Sequence, residues 1–424
     1  MQKNEGILSR LPEKKTRERL AEVYGKEAVA SALKRYEALS RAMLAARPNE
    51  EQRFFSSPGR TELGGNHTDH NRGRVLCAAI DLDAVACVVP NRDRSVRIHS
   101  EGYDPIEIDL SDLECRSEER GTTAALVRGI ARGLADRGAP VKGFDALIHS
   151  TVLPGSGLSS SAAVENLFGG ILSDLAQIDT PAIELAKLGK YAENDYFGKP
   201  CGLMDQAASA VGGVVTIDFA DPAKPRVKRI KYDFRAEGYA LVVVNTGGSH
   251  ADLTADYAAI PSEMQVVASF FGAESLREVE PELLLARGPE IRKAAGDRAL
   301  LRALHFVGEN RRVLDMVAAL SKGSLRKYFK LVKKSGDSSW KLLQNLYPPE
   351  APEEQGLCLA LALSADFLGK KGAARVHGGG FAGTIQAYVP LDMLDGYSAL
   401  MERYFGSGAM IKLAVRPLGA VKIF

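Results

Sequence analysis

Between residues 11 and 46 the apolar side chains fall three and four positions apart, first Leu20, Val23 and Tyr24, then Leu33, Tyr36, Leu39 and Met43, on a charged background. That spacing predicts two amphipathic helices, because such positions share one helix face. From Phe54 the pattern changes to glycine-rich turns and β-branched runs, Val75 to Val89 and Val96 to Ile108, broken by Asn91-Arg92-Asp93. These are strand signals. After a turn at Pro154 to Gly157 a helical face returns through Val164, Leu167, Phe168, Ile171, Leu172 and Leu175, and a further helix follows Pro181. The first large unit therefore mixes strands and helices.

Asp221-Pro222-Ala223-Lys224-Pro225 is a proline-marked break, followed by Arg226-Val227-Lys228, Arg229-Ile230-Lys231 and the apolar run Tyr239 to Asn245. The basic alternation reads as the solvated face of an edge strand, where lysine also blocks strand addition. The remainder is helical to about Leu368, and a glycine-rich turn then leads into a strand over Thr384 to Val389. These breaks divide the chain into a helical extension (1–50), a mixed domain (51–220) and a C-terminal domain (221–424).

A length of 424 residues suits two domains and a cleft between them. Apolar residues at 45% and charged residues at 25% argue against disorder and coiled coil. Lys and Arg total 55 against 53 Asp and Glu, so the whole molecule has no field to draw in nucleic acid or anionic lipid. Any bound anion must be held locally. The start of the chain, MQKNEGILSRLPEKKTRERL, carries charge where a signal peptide needs an apolar core, and no segment approaches the ~18 apolar residues of a membrane span. Five scattered cysteines with no Cys-x-x-Cys pair indicate neither a zinc site nor a disulfide framework. The expectation is a cytoplasmic protein without nucleic-acid or membrane partners; oligomeric state leaves no signal.

Three glycine-rich segments carry candidate chemistry. In the middle one, Leu153-Pro154-Gly155-Ser156-Gly157-Leu158-Ser159-Ser160-Ser161-Ala162-Ala163, a strand (Phe144 to Val152) runs in and an amphipathic helix leaves. Glycines let backbone approach a ligand, first-turn N–H groups are unpaired, and the helix dipole favours negative charge, which together make a phosphate cradle. A lone G-x-G would be read as a plain turn with a serine cap; a run of this length favours phosphate. No G-x-x-x-x-G-K-[ST] occurs, so a P-loop is a poor fit.

The first segment, Pro58-Gly59-Arg60-Thr61-Glu62-Leu63-Gly64-Gly65-Asn66-His67-Thr68-Asp69-His70-Asn71, has a density of hydrogen-bonding groups that suits a polyhydroxyl ligand, with Arg60 free for phosphate. His67 and His70 flank Asp69, the rival metal reading, but no second cluster completes it. The third, Arg375-Val376-His377-Gly378-Gly379-Gly380-Phe381-Ala382-Gly383-Thr384, again allows close backbone approach. Between them, Glu193 near one helix end and Asp205 near the next helix start have an ordinary explanation in the helix dipole.

Taken in order, Pro-Gly-Arg, Gly-Ser-Gly-Leu-Ser-Ser-Ser-Ala, Cys-Gly-Leu-Met-Asp-Gln and Gly-Gly-Gly-Phe-Ala-Gly resemble the galactokinase branch of the GHMP small-molecule kinases, from Phe54 to the C-terminus. The resemblance implies an α+β, two-domain GHMP kinase fold, with an N-terminal domain like the second domain of ribosomal protein S5 and a C-terminal ferredoxin-like domain. It implies ATP and Mg²⁺ as cofactors and a small sugar as substrate. Gly155, Ser156, Gly157, Leu158, Ser159, Ser160 and Ser161 would wrap the ATP phosphates, and Ser161 with Glu193 would hold Mg²⁺. Asp205 would orient or deprotonate the attacking hydroxyl, Arg60 would steady Asp205 and the transferring group, and Gly378 to Gly380 would close the floor. Asn66, His67, Asp69, Gly202 and Tyr257 would line the sugar side.

The family signature reads Gly-Arg-x-Asn, an aliphatic residue, Ile and Gly, then Asp/Glu-His-x-Asp-Tyr; this chain has Glu62 for the Asn, Gly64 for the Ile, Asn66 for the acid and His70 for the Tyr. The acid replaced by Asn66 is the group that in galactokinases contacts the sugar's outer hydroxymethyl. The expected activity is ATP-dependent phosphorylation of the anomeric hydroxyl of galactose or a related aldose such as L-arabinose or N-acetylgalactosamine. The alternative from another class is a sugar and ATP sensor without turnover.

Overall fold

The computed structural model of the protein describes residues 8, 11, 13–152, 157–248 and 253–424. Strand β1 (Arg53–Gly64) pairs antiparallel along its length with β2 (Arg74–Pro90), from Arg53 opposite Val88 to Gly64 opposite Leu76. The register shifts between Pro58 and Arg60 and again between Glu62 and Gly64. Irregularities of this kind bend a strand and re-aim its side chains, and here they bracket Arg60. The sheet extends through β3 (Ser95–Ser100), β4 (Ile106–Asp109) and β5 (Phe144–Ser150) in the order β1-β2-β5-β3-β4.

Strand β2 shows how the sequence builds two layers. Alternate residues point to opposite faces: Ala84, Ala86 and Val88 join the core under helices α3 (Thr123–Ala135) and α4 (Ser160–Ala176). Val85, Cys87 and Val89 face the N-terminal helices α1 (Lys14–Tyr24) and α2 (Val29–Ala46), together with Leu20, Val23, Tyr36 and Met43. Both expected N-terminal helices form. They are also bound into the first domain, because the fully buried Asp83 of β2 accepts from Tyr24 Oη at 2.6 Å, Arg35 Nη2 at 2.6 Å and Arg416 Nη1 at 2.9 Å.

The site is completed by α5 (Ala182–Tyr191), a π-helical turn over Ala192–Phe197, and α6 (Met204–Val211). Then β6 (Val214–Asp218) pairs with β2, and β7 (Arg226–Ile230) pairs with β6 alone among the described strands. The edge-strand reading of the basic alternation fits this place. The expected division at 220–221 does not, because β7 lies beyond it yet belongs to the first sheet. The proline-rich turn joins two paired strands, and the chain changes sheet only at β8 (Tyr239–Asn245).

The second sheet is antiparallel, in the order β11-β8-β10-β9, with β9 (Ala373–Val376), β10 (Thr384–Pro390) and β11 (Met410–Leu413). Helices α7 (Thr254–Phe270), α8 (Pro281–Ala286), α9 (Gly288–Ala295), α10 (Asp297–Ser321) and α11 (Leu325–Ser338) form a helical layer, and α12 (Gly356–Leu368) and α13 (Leu394–Phe405) cover the outer face of the sheet. One apolar cluster joins the two halves: Leu63, Leu76, Ala78 and Ile80 pack with Leu241, Val243, Met316 and Tyr328. The chain finally returns to the first sheet as β12 (Val421–Lys422), beside β1. The result is the two-domain α+β fold. Among the described residues no helix is long and apolar enough to cross a membrane.

Candidate active site

Arg60 and Asp205 meet across the first domain. The Arg60 guanidinium leaves β1 and donates Nε to Asp205 Oδ1 and Nη2 to Asp205 Oδ2, both at 2.7 Å, while Nη1 donates to the Gly157 carbonyl at 2.5 Å. Two parallel bonds of this kind fix orientation as well as proximity. Asp205 stands in the first turn of α6, where Ser159 Oγ also donates to its Oδ2. Burial alone would raise the Asp205 carboxyl; the charge and hydrogen bonds of Arg60, with that of Ser159, outweigh it and hold the group below the usual carboxylate range. The Arg60 side chain is 7% exposed and that of Asp205 33%, so the carboxylate is the open member of the pair.

The glycine–serine turn lies against this pair. Gly59 explains the close fit: a β-carbon there would lie 2.7 Å from the Leu158 carbonyl, which instead accepts from Arg60 N at 3.0 Å. Gly157 has φ +71° and Ser159 φ +59°, left-handed geometry that turns the chain into α4 just before Ser160. Of the residues expected to wrap phosphate, Gly157, Leu158, Ser159, Ser160 and Ser161 gather at the start of this helix. Gly155 and Ser156 lie outside the described residues.

Ser161 and Glu193 also come together. Ser161 Oγ donates to Glu193 Oε1 at 3.3 Å, and Glu193 is held at the start of the π-helical turn with its side chain 4% exposed. Extra residues of this kind within helices occur often at functional sites. Gln206 fixes the other oxygen: its Nε2 donates to Glu193 Oε2 at 2.8 Å and to Glu165 Oε2 at 3.0 Å. Burial, then the Glu193 charge, pushes the Glu165 carboxyl well above its ordinary range. Gln206 and Glu165 were missed as functional candidates, although each lies within three residues of or inside a recognised motif.

On the sugar side, Asp69 and Gly202 are in contact, since a β-carbon on residue 202 would lie 1.8 Å from Asp69 Oδ2. His67 bonds through Nε2 to the Gly379 carbonyl at 2.9 Å, and Tyr257 Oη donates to the Gly380 carbonyl at 2.9 Å. Burial, then the neighbouring His70, pushes His67 down to about 3, so its ring is neutral at pH 7. Among the described residues no group of three or more His, Cys, Asp and Glu side chains is placed to hold a metal.

Asn66 requires a correction. It was expected to face the sugar, yet it is fully buried and its amide is used up inside the protein. Nδ2 donates to the Gly378 carbonyl at 2.6 Å and towards Glu62 Oε1 at 3.3 Å, and Oδ1 accepts from Ser339 Oγ at 3.1 Å and Asn345 Nδ2 at 3.0 Å. Two donors and two acceptor sites exhaust what an amide offers. Glu62 is equally enclosed, paired with the buried Arg375.

With an arginine-held carboxylate set beside a glycine–serine helix start, the chain matches the profile of the GHMP kinases N terminal domain over residues 125–213. The galactokinase galactose-binding signature matches residues 45–90. The chain is 35% identical over 340 residues to a galactokinase of Actinobacillus pleuropneumoniae serotype 5b (strain L20), covering 79% of this chain and 84% of that one. It is 32% identical to a galactokinase of Glaesserella parasuis serovar 5 (strain SH0165), covering 82% and 88%. On these matches the chain belongs to the galactokinase family, and it is an ATP-dependent phosphotransferase. The crystal structure of Lactococcus lactis galactokinase complexed with galactose superposes with a TM-score of 0.78 at 26% identity, over 91% of this chain and 99% of that one. Methanococcus jannaschii mevalonate kinase shares the fold, with a TM-score of 0.62 at 16% identity over 87% and 99%.

Proposed function

We propose that the protein transfers the γ-phosphoryl group of ATP to the anomeric hydroxyl of galactose or a related aldose. The observation that carries this reading is the Ser159–Asp205–Arg60 unit. One hydrogen-bonded group links the start of α4, a helix N-terminus suited to phosphate, to a carboxylate that is partly exposed. Phosphoryl transfer asks a protein chiefly for alignment and charge stabilisation. Asp205, ionised at neutral pH, orients the sugar hydroxyl and takes its proton as the oxygen attacks. Arg60 keeps the carboxylate in place and offsets charge on the transferring group. Gly157 to Ser161 cradle the phosphates through backbone N–H groups and hydroxyls.

The Ser161 hydroxyl and Glu193 carboxylate, hard oxygen donors 3.3 Å apart, fit Mg²⁺. Bound there, Mg²⁺ would neutralise phosphate charge. On the other side Asp69, with Gly202 against it, contacts sugar hydroxyls, while His67 and Tyr257 steady the Gly378–Gly380 turn that closes the site. The test is a coupled ADP-release assay across galactose, L-arabinose and N-acetylgalactosamine. Turnover with at least one aldose is expected; binding of sugar and ATP without ADP release would make the protein a sensor.

A further inference from the structure

Lys199 lies between the turn that carries Glu193 and the helix that carries Asp205. Its ammonium is 3.6 Å from Glu193 Oε1, the oxygen that also accepts from Ser161. The two partners differ in freedom: the Lys199 side chain is 64% exposed and that of Glu193 4%. Gln206 holds the far oxygen of Glu193, so the carboxylate cannot turn to follow the lysine. The Lys199 backbone is also fixed, its N–H donating to the Glu193 carbonyl at 3.0 Å. What remains free is a flexible four-carbon stem ending in a point charge.

A divalent ion on Glu193 Oε1 would repel the Lys199 ammonium that rests 3.6 Å from the same oxygen. That repulsion favours turning the flexible lysine away from the carboxylate, and Ser161, at the start of α4, bonds the same carboxylate oxygen, so a phosphate held there would lie beside it. We propose that Lys199 is a further phosphate-contacting residue for the transfer, resting on Glu193 when the cleft is empty and moving to a phosphate oxygen when the nucleotide and metal are bound. This rests on the reading of Ser161 and Glu193 as the metal-holding pair. A lysine so placed adds to the charge stabilisation supplied by Arg60.

The test uses Lys199→Met, Lys199→Arg and Glu193→Gln in the full chain, with two readouts. One is the free Mg²⁺ concentration at half-maximal occupancy of the nucleotide-free protein, followed by calorimetry. The other is kcat at saturating Mg²⁺, ATP and sugar. Lys199→Met is expected to need about 2- to 5-fold less Mg²⁺, because an exposed competing ion pair is gone, and to lose about 10- to 100-fold in kcat. Lys199→Arg is expected to keep most of the kcat. An unchanged kcat in Lys199→Met would overturn the proposal, leaving only a counterion, and an unchanged Mg²⁺ requirement would overturn the resting contact with Glu193. Glu193→Gln separates the two readings: should its Mg²⁺ requirement equal that of the wild type, the metal pair itself is wrong, whatever Lys199 does.

Discussion

Gly202 lies so close to Asp69 that a β-carbon on residue 202 would overlap Asp69 Oδ2 at 1.8 Å. The obstructing atom belongs to a side chain with little exposure, so it cannot swing clear without leaving its place. Gly202→Ala is therefore expected to push the Asp69 carboxylate out of the sugar side of the cleft while leaving the phosphate turn intact. The expected result is a KM for the sugar raised by about 10-fold or more, from the loss of a charge-assisted hydrogen bond, with the ATP KM little changed. A rise confined to the ATP KM would remove Asp69 and Gly202 from the sugar site.

Asn66 yields a prediction opposite to the one its sequence position suggests. Read from the family signature, Asn66→Glu would restore a sugar-binding acid and sharpen selection for galactose over L-arabinose. In the structure it would instead place a second carboxylate beside buried Glu62 and discard the donor to Gly378. An uncompensated buried charge costs about 3–5 kcal/mol, so urea unfolding should show a clear loss of stability for Asn66→Glu. Wild-type stability together with a raised galactose preference would return Asn66 to the sugar wall.

This reversal shows where sequence reading stops. Arg60, Asp205, Ser161 and Glu193 could be singled out as candidates because each stands in a short run of suggestive residue types, and the structure brings Arg60 to Asp205 and Ser161 to Glu193; the roles given to them are the proposal made above. The buried place of Asn66 was not legible, because its partners Gly378, Ser339 and Asn345 lie 312, 273 and 279 positions away. The same limit holds for the fold. Alternation in β2 and the helical spacing of α1 and α2 announce those elements, whereas the docking of the helices depends on Asp83, Arg35 and Arg416 meeting from three separate parts of the chain. The proline break before β7 marks a turn, but no local signal says that the strand after it pairs back onto β6.

His67 provides a pH test of the closed glycine turn. Its folded value of about 3 lies below the unfolded 6.5, so the unfolded chain takes up the proton first as pH falls. The contribution of His67 is fully present above pH 6.5 and is lost progressively between there and about pH 3. Each pH unit costs at most about 1.4 kcal/mol, and less because the ring is not fully enclosed. Thermal unfolding from pH 7 to pH 4 should fall less steeply in His67→Gln than in the wild type. Parallel profiles would mean that His67 is protonated or exposed in the folded protein.

The most direct test of the central claim is Asp205→Asn, with phosphoryl transfer and ATP binding measured on the same preparation. The substitution removes charge and basicity where the sugar hydroxyl reacts and leaves the phosphate turn in place. The expected result is calorimetric ATP affinity close to wild type with nearly all ADP release gone, kcat falling to well under about a tenth. A folded, ATP-binding variant that keeps more than about a tenth of wild-type kcat would show that Asp205 does not handle the hydroxyl.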